Sequence, residues 1–522
     1  MVSSEVNSGS QWQLQPQDVN TMEEPSSVFI MASSRSEKMF IDGDWVDGSG
    51  EETIDVVNPA TEEVMASVPK GTREDAKRAL DSAARAQKEW AEIPPLKRAS
   101  FMQRIAQLIR ENREELASVL TSEQGKPLFE SRAEVDGSAA HFEYFAEFAR
   151  RIEGDVLPSD NPGQTIMILR LPIGVVAAIT PWNFPSAMVA RKLAPALITG
   201  NSVVVKPSSN TPLSAIEIVK LAERSGIPKG VVNLVTGDGS EAGDELCGNK
   251  KTGLVTMTGS TEAGRKIMQR ASNQVGKLIL ELGGKAPFIV WRDADMDWAL
   301  KCAVWARYWN CGQTCISSER LYLDESIKAK FLGKFVEMSK NLRLGDPKAE
   351  GTDLGPMVSK KERETSEGFI ELARGEGSKI ILGGSTPPMR RGWYLEPTVI
   401  DGVHQESPLV QKEIFGPVVP VLEVESFDRA IELANDSDYG LASYVFTKDN
   451  NNVMKAMHRI RFGETYINQV GPEQLQGAHT GFRMSGVGAE GSRHGLELYT
   501  QLKTCYIDWN DRPGLPYLFP YS

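Results

Sequence analysis

A cysteine stands in a run of small and polar residues, Asn310-Cys311-Gly312-Gln313-Thr314-Cys315-Ile316-Ser317-Ser318, and a carboxylate stands upstream in Leu280-Glu281-Leu282-Gly283-Gly284-Lys285. A thiol becomes a useful nucleophile when a base or an electropositive pocket turns it into a thiolate. A carboxylate beside two glycines can supply a base, and the missing Cβ atoms let a substrate or cofactor approach the backbone. Cys315 and Glu281 together therefore point to covalent catalysis on a carbonyl. Taken singly, neither residue carries that conclusion, since most lone cysteines are buried small hydrophobes.

Elements far apart in the chain must bring such groups together. Apolar stretches at Val175–Ile179, Asn201–Lys206, Val231–Val235, Leu254–Thr258 and Lys277–Glu281 alternate with helical stretches near 214–225 and 261–273. Continuous apolar strands with helices between them predict a parallel sheet covered on both faces. Ligands of such sheets bind beyond the carboxyl ends of the strands. Asn183, Lys206, Gly237, Gly259 and Glu281 all lie at or just past such ends. A second α/β series follows Cys315 to about residue 485, with strands at Tyr394–Ile400, Val418–Leu422 and Ser443–Phe446 and helices near 326–342, 360–376 and 427–435. Ahead of both series, Met39–Val46 reads as a hairpin about the Asp42-Gly43 turn. Residues 73–153 read as helical scaffold. The tail Lys503–Trp509 reads as an exposed edge strand.

Residues 1–37 are rich in Ser, Gln, Glu and Asn, show no hydrophobic period, and are expected to be a disordered extension. They are too acidic for a mitochondrial presequence and lack the apolar core of a secretory signal. Met31 is an alternative start.

The chain has 522 residues and a net charge of −12. That charge argues against nucleic acid or an anionic membrane as the main partner, because both need a basic surface. No run of 18 uncharged apolar residues predicts a transmembrane helix. Five widely spread cysteines fit a reducing compartment, the cytoplasm, better than a disulfide framework. With five scattered histidines and no zinc spacing, no metal site is expected.

Six motifs in order resemble those of the aldehyde dehydrogenase superfamily across roughly residues 38–510: Pro181-Trp182-Asn183-Phe184-Pro185; Val205-Lys206-Pro207-Ser208-Ser209-Asn210-Thr211-Pro212; Thr258-Gly259-Ser260-Thr261-Glu262-Ala263-Gly264; Glu281-Leu282-Gly283-Gly284-Lys285; Gly312-Gln313-Thr314-Cys315; and Glu413-Ile414-Phe415-Gly416-Pro417. The resemblance implies an α/β fold with a Rossmann-like NAD(P)-binding domain from 38–155 and 173–285, and a catalytic domain from 286–485. A small β oligomerisation arm from 156–172 and 500–510 would join subunits into homodimers or homotetramers. It further implies Cys315 as nucleophile, Asn183 with the Cys315 N–H as oxyanion hole, and Glu281 as the base that hydrolyses a thioester. Pro181, Trp182, Lys206, Ser209, Gly259, Ser260, Glu413 and Phe415 would hold NAD or NADP. The partner is a small-molecule aldehyde.

Three departures shape the expectation further. Ser209 stands where relatives that prefer NAD commonly carry a glutamate, which removes a repulsion of the 2′-phosphate, so NADP should be accepted. Trp309 stands where succinate-semialdehyde dehydrogenases usually carry an arginine that meets the substrate carboxylate. Arg191 matches the other arginine of that pair, yet it occurs also in relatives acting on neutral aldehydes. The stretches Phe462–Asn468, Gln476–Phe482 and Arg493–Leu496 resemble the lactaldehyde and glycolaldehyde dehydrogenases, in which the histidine matching His479 lies near the substrate hydroxyl. A small hydroxyaldehyde is therefore expected, with succinate semialdehyde or an aromatic aldehyde as alternatives. A CoA-acylating relative or a non-catalytic, crystallin-like or scaffold relative is disfavoured by the presence of both Cys315 and Glu281. Cys311, four residues before Cys315, raises the question of an oxidative disulfide between them.

Overall fold

The computed structural model describes residues 35–389 and 391–510. Five strands, Val175–Ile179, Ser202–Lys206, Val232–Leu234, Thr252–Thr258 and Lys277–Glu281, lie parallel in one sheet and are almost wholly buried. Their apolar side chains on both faces leave no face for water, as a sheet covered by helices on each side requires. The chain starts in the middle, at Val175–Ile179. It adds Ser202–Lys206 and Val232–Leu234 on one side, then returns to add Thr252–Thr258 and Lys277–Glu281 on the other. The reversal opens a crevice at the carboxyl ends, between Val175–Ile179 and Thr252–Thr258.

Two antiparallel additions finish the edges. Met39–Ile41 and Asp44–Val46 form a hairpin against Val232–Leu234. Its turn residues Asp42 and Gly43 both have positive φ, 57° and 81°, the geometry that suits an Asp-Gly pair. On the opposite edge Gly486–Val487 pairs with Leu280 and Glu281.

The helices Arg73–Glu92, Pro95–Glu111, Arg113–Gln124 and Leu128–Ala146 form the scaffold before the sheet. The first is set by a capping box in which Thr72 and Asp75 satisfy each other's backbone N–H groups. Helix Pro185–Ile198 begins just after Asn183, with proline at its first position, where no N–H is needed. Every residue of it except Ala187 is buried, so Arg191 and Lys192 are carried into the interior and must find partners there.

The second sheet has the order Lys379–Leu382, Thr398–Asp401, Val418–Val424, Ser318–Asp324, Ala286–Val290, Ala442–Phe446, Glu464–Ile467, parallel except for the first. The strand expected at Tyr394–Ile400 begins only at Thr398. Pro397 has no N–H to give to a ladder, and Tyr394 instead sends its hydroxyl to the Gly345 carbonyl, 3.1 Å away.

A further three-stranded sheet joins Asp155–Pro158, Gln164–Pro172 and the outer strand Thr500–Asp508. The expectation of disorder for residues 1–37 fails at its end. Arg35–Ser36 pairs in parallel with Ala66–Ser67, and Glu37 is buried, taking a 2.9 Å hydrogen bond from Lys220 and giving its N–H to Ser67. Ion pairing of Arg35 with Glu37 and Glu217 draws this polar segment onto the surface. Residues 1–34 lie outside the described part. No described helix is long and apolar enough to cross a membrane.

Candidate active site

Cys315 follows a loop held in uncommon backbone geometry. Asn310, Cys311 and Gly312 have φ of 51°, 56° and 71°. For residues with a Cβ this region costs about 1–2 kcal/mol each, so the surroundings must enforce it. Arg307, wholly buried, donates to the carbonyls of Ser318 (3.0 Å), Gly312 (3.1 Å) and Gly416 (2.6 Å). Asn310 Nδ2 donates to the Asn183 carbonyl at 2.9 Å, and Gln313 Oε1 accepts from the Val358 N–H at 2.9 Å. Gly312 answers two demands at once, because an added Cβ would also lie 2.5 Å from Arg307 Nη2 and from the Gly416 carbonyl. Cys311 is buried in the core of the second sheet. Burial and the neighbouring Glu130 push its thiol above the usual range. All five cysteines are free.

A cavity of about 820 Å³ extends from the strand ends of the first sheet to Cys315. Pro181, Trp182, Lys206, Ser209, Gly259 and Ser260 line it on the side of the first sheet. Glu413 and Phe415 line it from the loop before Val418–Val424. Asn183, Arg191, Trp309 and His479 line it together with Cys315. Asn183 is buried and spends one amide N–H on the Gln313 carbonyl at 3.0 Å, which leaves the other for a ligand. Phe415 meets the Trp182 ring edge-on at 5.3 Å. Trp309 packs against Trp305 and Phe129, with centroids 5.2 and 5.9 Å away.

Glu281 alone of the expected residues does not line the cavity. It is buried behind His479, whose Nε2 stands 2.7 Å from Glu281 Oε2. The carboxylate lying over Gly283-Gly284 belongs instead to Glu413. Its Oε1 accepts from the Gly284 N–H at 2.8 Å, and a Cβ on Gly283 would come within 2.5 Å of its Oε2. Burial and Glu319 push Glu413 up to about 8. Burial likewise raises Glu281 above the carboxylate range, against the pull of His479. His479 itself is held well above the imidazole range. Burial disfavours its charge, but Glu281 and Glu464 on either side outweigh that.

Several acidic groups at or behind the cavity wall sit in no motif of the sequence. Glu473 pairs with Arg191 at the cavity wall, and Glu490 lies 3.7 Å from Arg191 Nη1 while pairing with Lys192. Glu464 lies within Phe462–Asn468, but nothing in its spacing announces a contact with His479.

The donor set suits a dinucleotide. Lys206, buried and pushed down to about 8 by that burial, uses one N–H on the Pro207 carbonyl at 3.1 Å and keeps two others. Helix Thr261–Ala271 starts beside Ser260 and turns its first N–H groups toward the strand ends, where phosphates are favoured. Glu413 offers carboxyl oxygens for sugar hydroxyls further along.

Comparison with known proteins gives the class. Residues 45–505 match the model of the aldehyde dehydrogenase family, and the chain belongs to that family. It is 48% identical over 480 residues to a D-glyceraldehyde dehydrogenase (NADP(+)) of Thermoplasma acidophilum, covering 91% of this chain and 97% of that one. The crystal structure of lactaldehyde dehydrogenase from Escherichia coli superposes with a TM-score of 0.90 at 42% identity, covering 91% of this chain and 100% of that one. A betaine aldehyde dehydrogenase from Staphylococcus aureus, solved in complex with NAD+, superposes with a TM-score of 0.91 at 39% identity, covering 93% and 97%. The protein is an NAD(P)-dependent oxidoreductase acting on aldehydes, with NAD or NADP as cofactor.

Proposed function

We propose that the protein oxidises a small hydroxylated aldehyde, of the lactaldehyde, glycolaldehyde or glyceraldehyde kind, to its carboxylic acid. The observation that carries this reading is the state of Arg191. Its guanidinium is already matched by Glu473 and Glu490, so it is not free to pair with a substrate carboxylate, and Trp309 cannot replace it. Glu473 instead presents carboxylate oxygens to the cavity wall beside Arg191, which suits the hydroxyl groups of a neutral substrate. The relatives that act on glyceraldehyde and lactaldehyde support the same class.

Cys315 attacks the aldehyde carbon to give a thiohemiacetal. The free N–H of Asn183 Nδ2 and the Cys315 N–H steady the oxygen as it gains negative charge. NAD or NADP, when bound, supplies the acceptor for the hydride. A thioester remains on Cys315, and water hydrolyses it with Glu281 as base once its carboxylate turns from behind His479 toward the cavity, returning the thiol and releasing the acid. In sum, aldehyde, water and oxidised cofactor give acid, reduced cofactor and a proton.

Ser209 lines the cofactor end and places a hydroxyl where a carboxylate would repel a 2′-phosphate, which supports use of NADP. The strand Thr500–Asp508 turns Leu502, Tyr506 and the following Trp509 outward, 62%, 70% and 68% exposed. Apolar side chains so bare support a homodimer or homotetramer built on this sheet. The five free thiols support a reducing compartment, the cytoplasm.

Initial rates of NAD(P)H formation on L-lactaldehyde, glycolaldehyde, glyceraldehyde, succinate semialdehyde and benzaldehyde test the reading. The highest kcat/KM is expected on a hydroxyaldehyde. A preference for succinate semialdehyde would refute it. A preference for benzaldehyde would move the assignment to the aromatic wall of Trp305 and Trp309.

A further inference from the structure

His479 has a carboxylate at each ring nitrogen. Nδ1 lies 2.7 Å from Glu464 Oε1 and Nε2 lies 2.7 Å from Glu281 Oε2. Glu464 is fixed in turn, because its Oε2 accepts from the Tyr466 hydroxyl at 2.8 Å. The histidine backbone is tied too, exchanging two 2.8 Å hydrogen bonds with Glu490. A neutral imidazole carries a single N–H, and ionised carboxylates only accept. With both carboxylates ionised, Nδ1 gives its N–H to Glu464 and the ion-pair contact of Nε2 with Glu281 Oε2 calls for a proton there as well, and only the imidazolium carries both.

Glu281 needs a counter-ion. It is 2% exposed, and an isolated carboxylate in such a place would take up a proton and cease to be a base. The other cations nearby are committed. Lys192 pairs with Glu490, and Arg191 pairs with Glu473 and approaches Glu490. Cys315 of the nucleophile loop, Tyr444 and Tyr466 of the second sheet, and Glu490 of the C-terminal segment complete the titratable surroundings, and none of these brings a positive charge. His479 is the cation left for Glu281, and it also stands between Glu281 and the cavity.

We propose that Glu464 and His479 are positioning residues for the hydrolytic base: Glu464, through Nδ1, keeps the imidazole doubly protonated, and the imidazolium keeps Glu281 ionised in a site that would otherwise neutralise it. The inference rests on Glu281 serving as base, as set out above. It gives His479 a task that does not depend on any hydroxyl of the substrate.

The sign of the effect is fixed by the chemistry. Glu281 works when deprotonated, so activity rises as pH rises through its pKa. Loss of the neighbouring positive charge moves that pKa up, and the acid limb of kcat must follow.

The experiment uses the full-length protein with NADP and propanal, an aldehyde without a hydroxyl, so that any hydroxyl contact is silent. Wild type, Glu464→Gln, Glu464→Asp and His479→Asn are compared by two readouts, the first-turnover burst of NADPH and the pH profile of kcat. Glu464→Gln and His479→Asn should keep a burst of about one NADPH per site and shift the acid limb up by about one pH unit or more. Glu464→Asp should restore most of the wild-type limb. An unmoved limb in Glu464→Gln overturns the inference even if His479→Asn does not fold. A burst slowed as much as turnover also overturns it, because His479 would then act on Cys315. A wild type that forms no NADPH from any aldehyde would remove the base reading, and this inference with it.

Discussion

At the scale of single residues, the proposed chemistry turns on the thiol of Cys315. Cys315→Ala should abolish turnover while NAD(P)H still binds, as seen by quenching of tryptophan fluorescence, since Lys206, Ser260 and Glu413 are untouched. Ser209→Glu should raise the kcat/KM ratio of NAD over NADP by about tenfold or more, the effect of one added charge against a 2′-phosphate worth about 1.4 kcal/mol. Both substitutions concern residues that the amino-acid sequence marks, for Cys315 and Ser209 sit in the motifs Gly312–Cys315 and Val205–Pro212. Glu281 was marked as clearly, but its withdrawal behind His479 was not. That feature depends on Glu464 and His479, which meet it only when a distant strand and loop fold against it. Glu473 escaped for the same reason, because a carboxylate facing a buried arginine leaves no local pattern in the chain.

At the scale of elements, the strands of the first sheet were legible because a wholly apolar run bounded by Gly, Pro and Asn has few other uses. The Asp42-Gly43 turn was legible from its two residues. The start of the strand at Thr398 was not, since Tyr394 and Leu395 look as strand-like as Val399 until Pro397 is given its consequence. The loop that carries Cys315 offered no period at all. Its shape comes from Arg307, which reaches three carbonyls across two other segments. Arg307→Met should leave those carbonyls without donors in a dry interior, each costing about 1–3 kcal/mol. The expected outcome is a thermal midpoint lower by several degrees in circular dichroism, with loss of the NADPH burst even in protein that remains folded. Arg307→Lys should repair this only in part, because one ammonium cannot span the same fork.

At the scale of the whole molecule, two α/β sheets hold the cavity between the strand ends of one and the loops of the other, and the small sheet that ends in Thr500–Asp508 carries exposed apolar residues. Removing the chain from Thr500 onward should strip the outer strand from Gln164–Pro172 and lower the sedimentation coefficient of any assembly that wild type forms. An unchanged coefficient would place the subunit contact elsewhere. The pairing of Gly486–Val487 with the edge at Leu280 and Glu281 bears on how the protein is made. Emerging from the ribosome, a chain can lay down the other strands of that sheet long before this last one exists. Until residues beyond Glu490 have been added, the strand that ends in Glu281 has an open flank and no His479 beside it. The thiol proposed as nucleophile is thus synthesised well ahead of the groups proposed to hydrolyse its thioester, and a chain cut short in this interval would lack the His479 partner of Glu281.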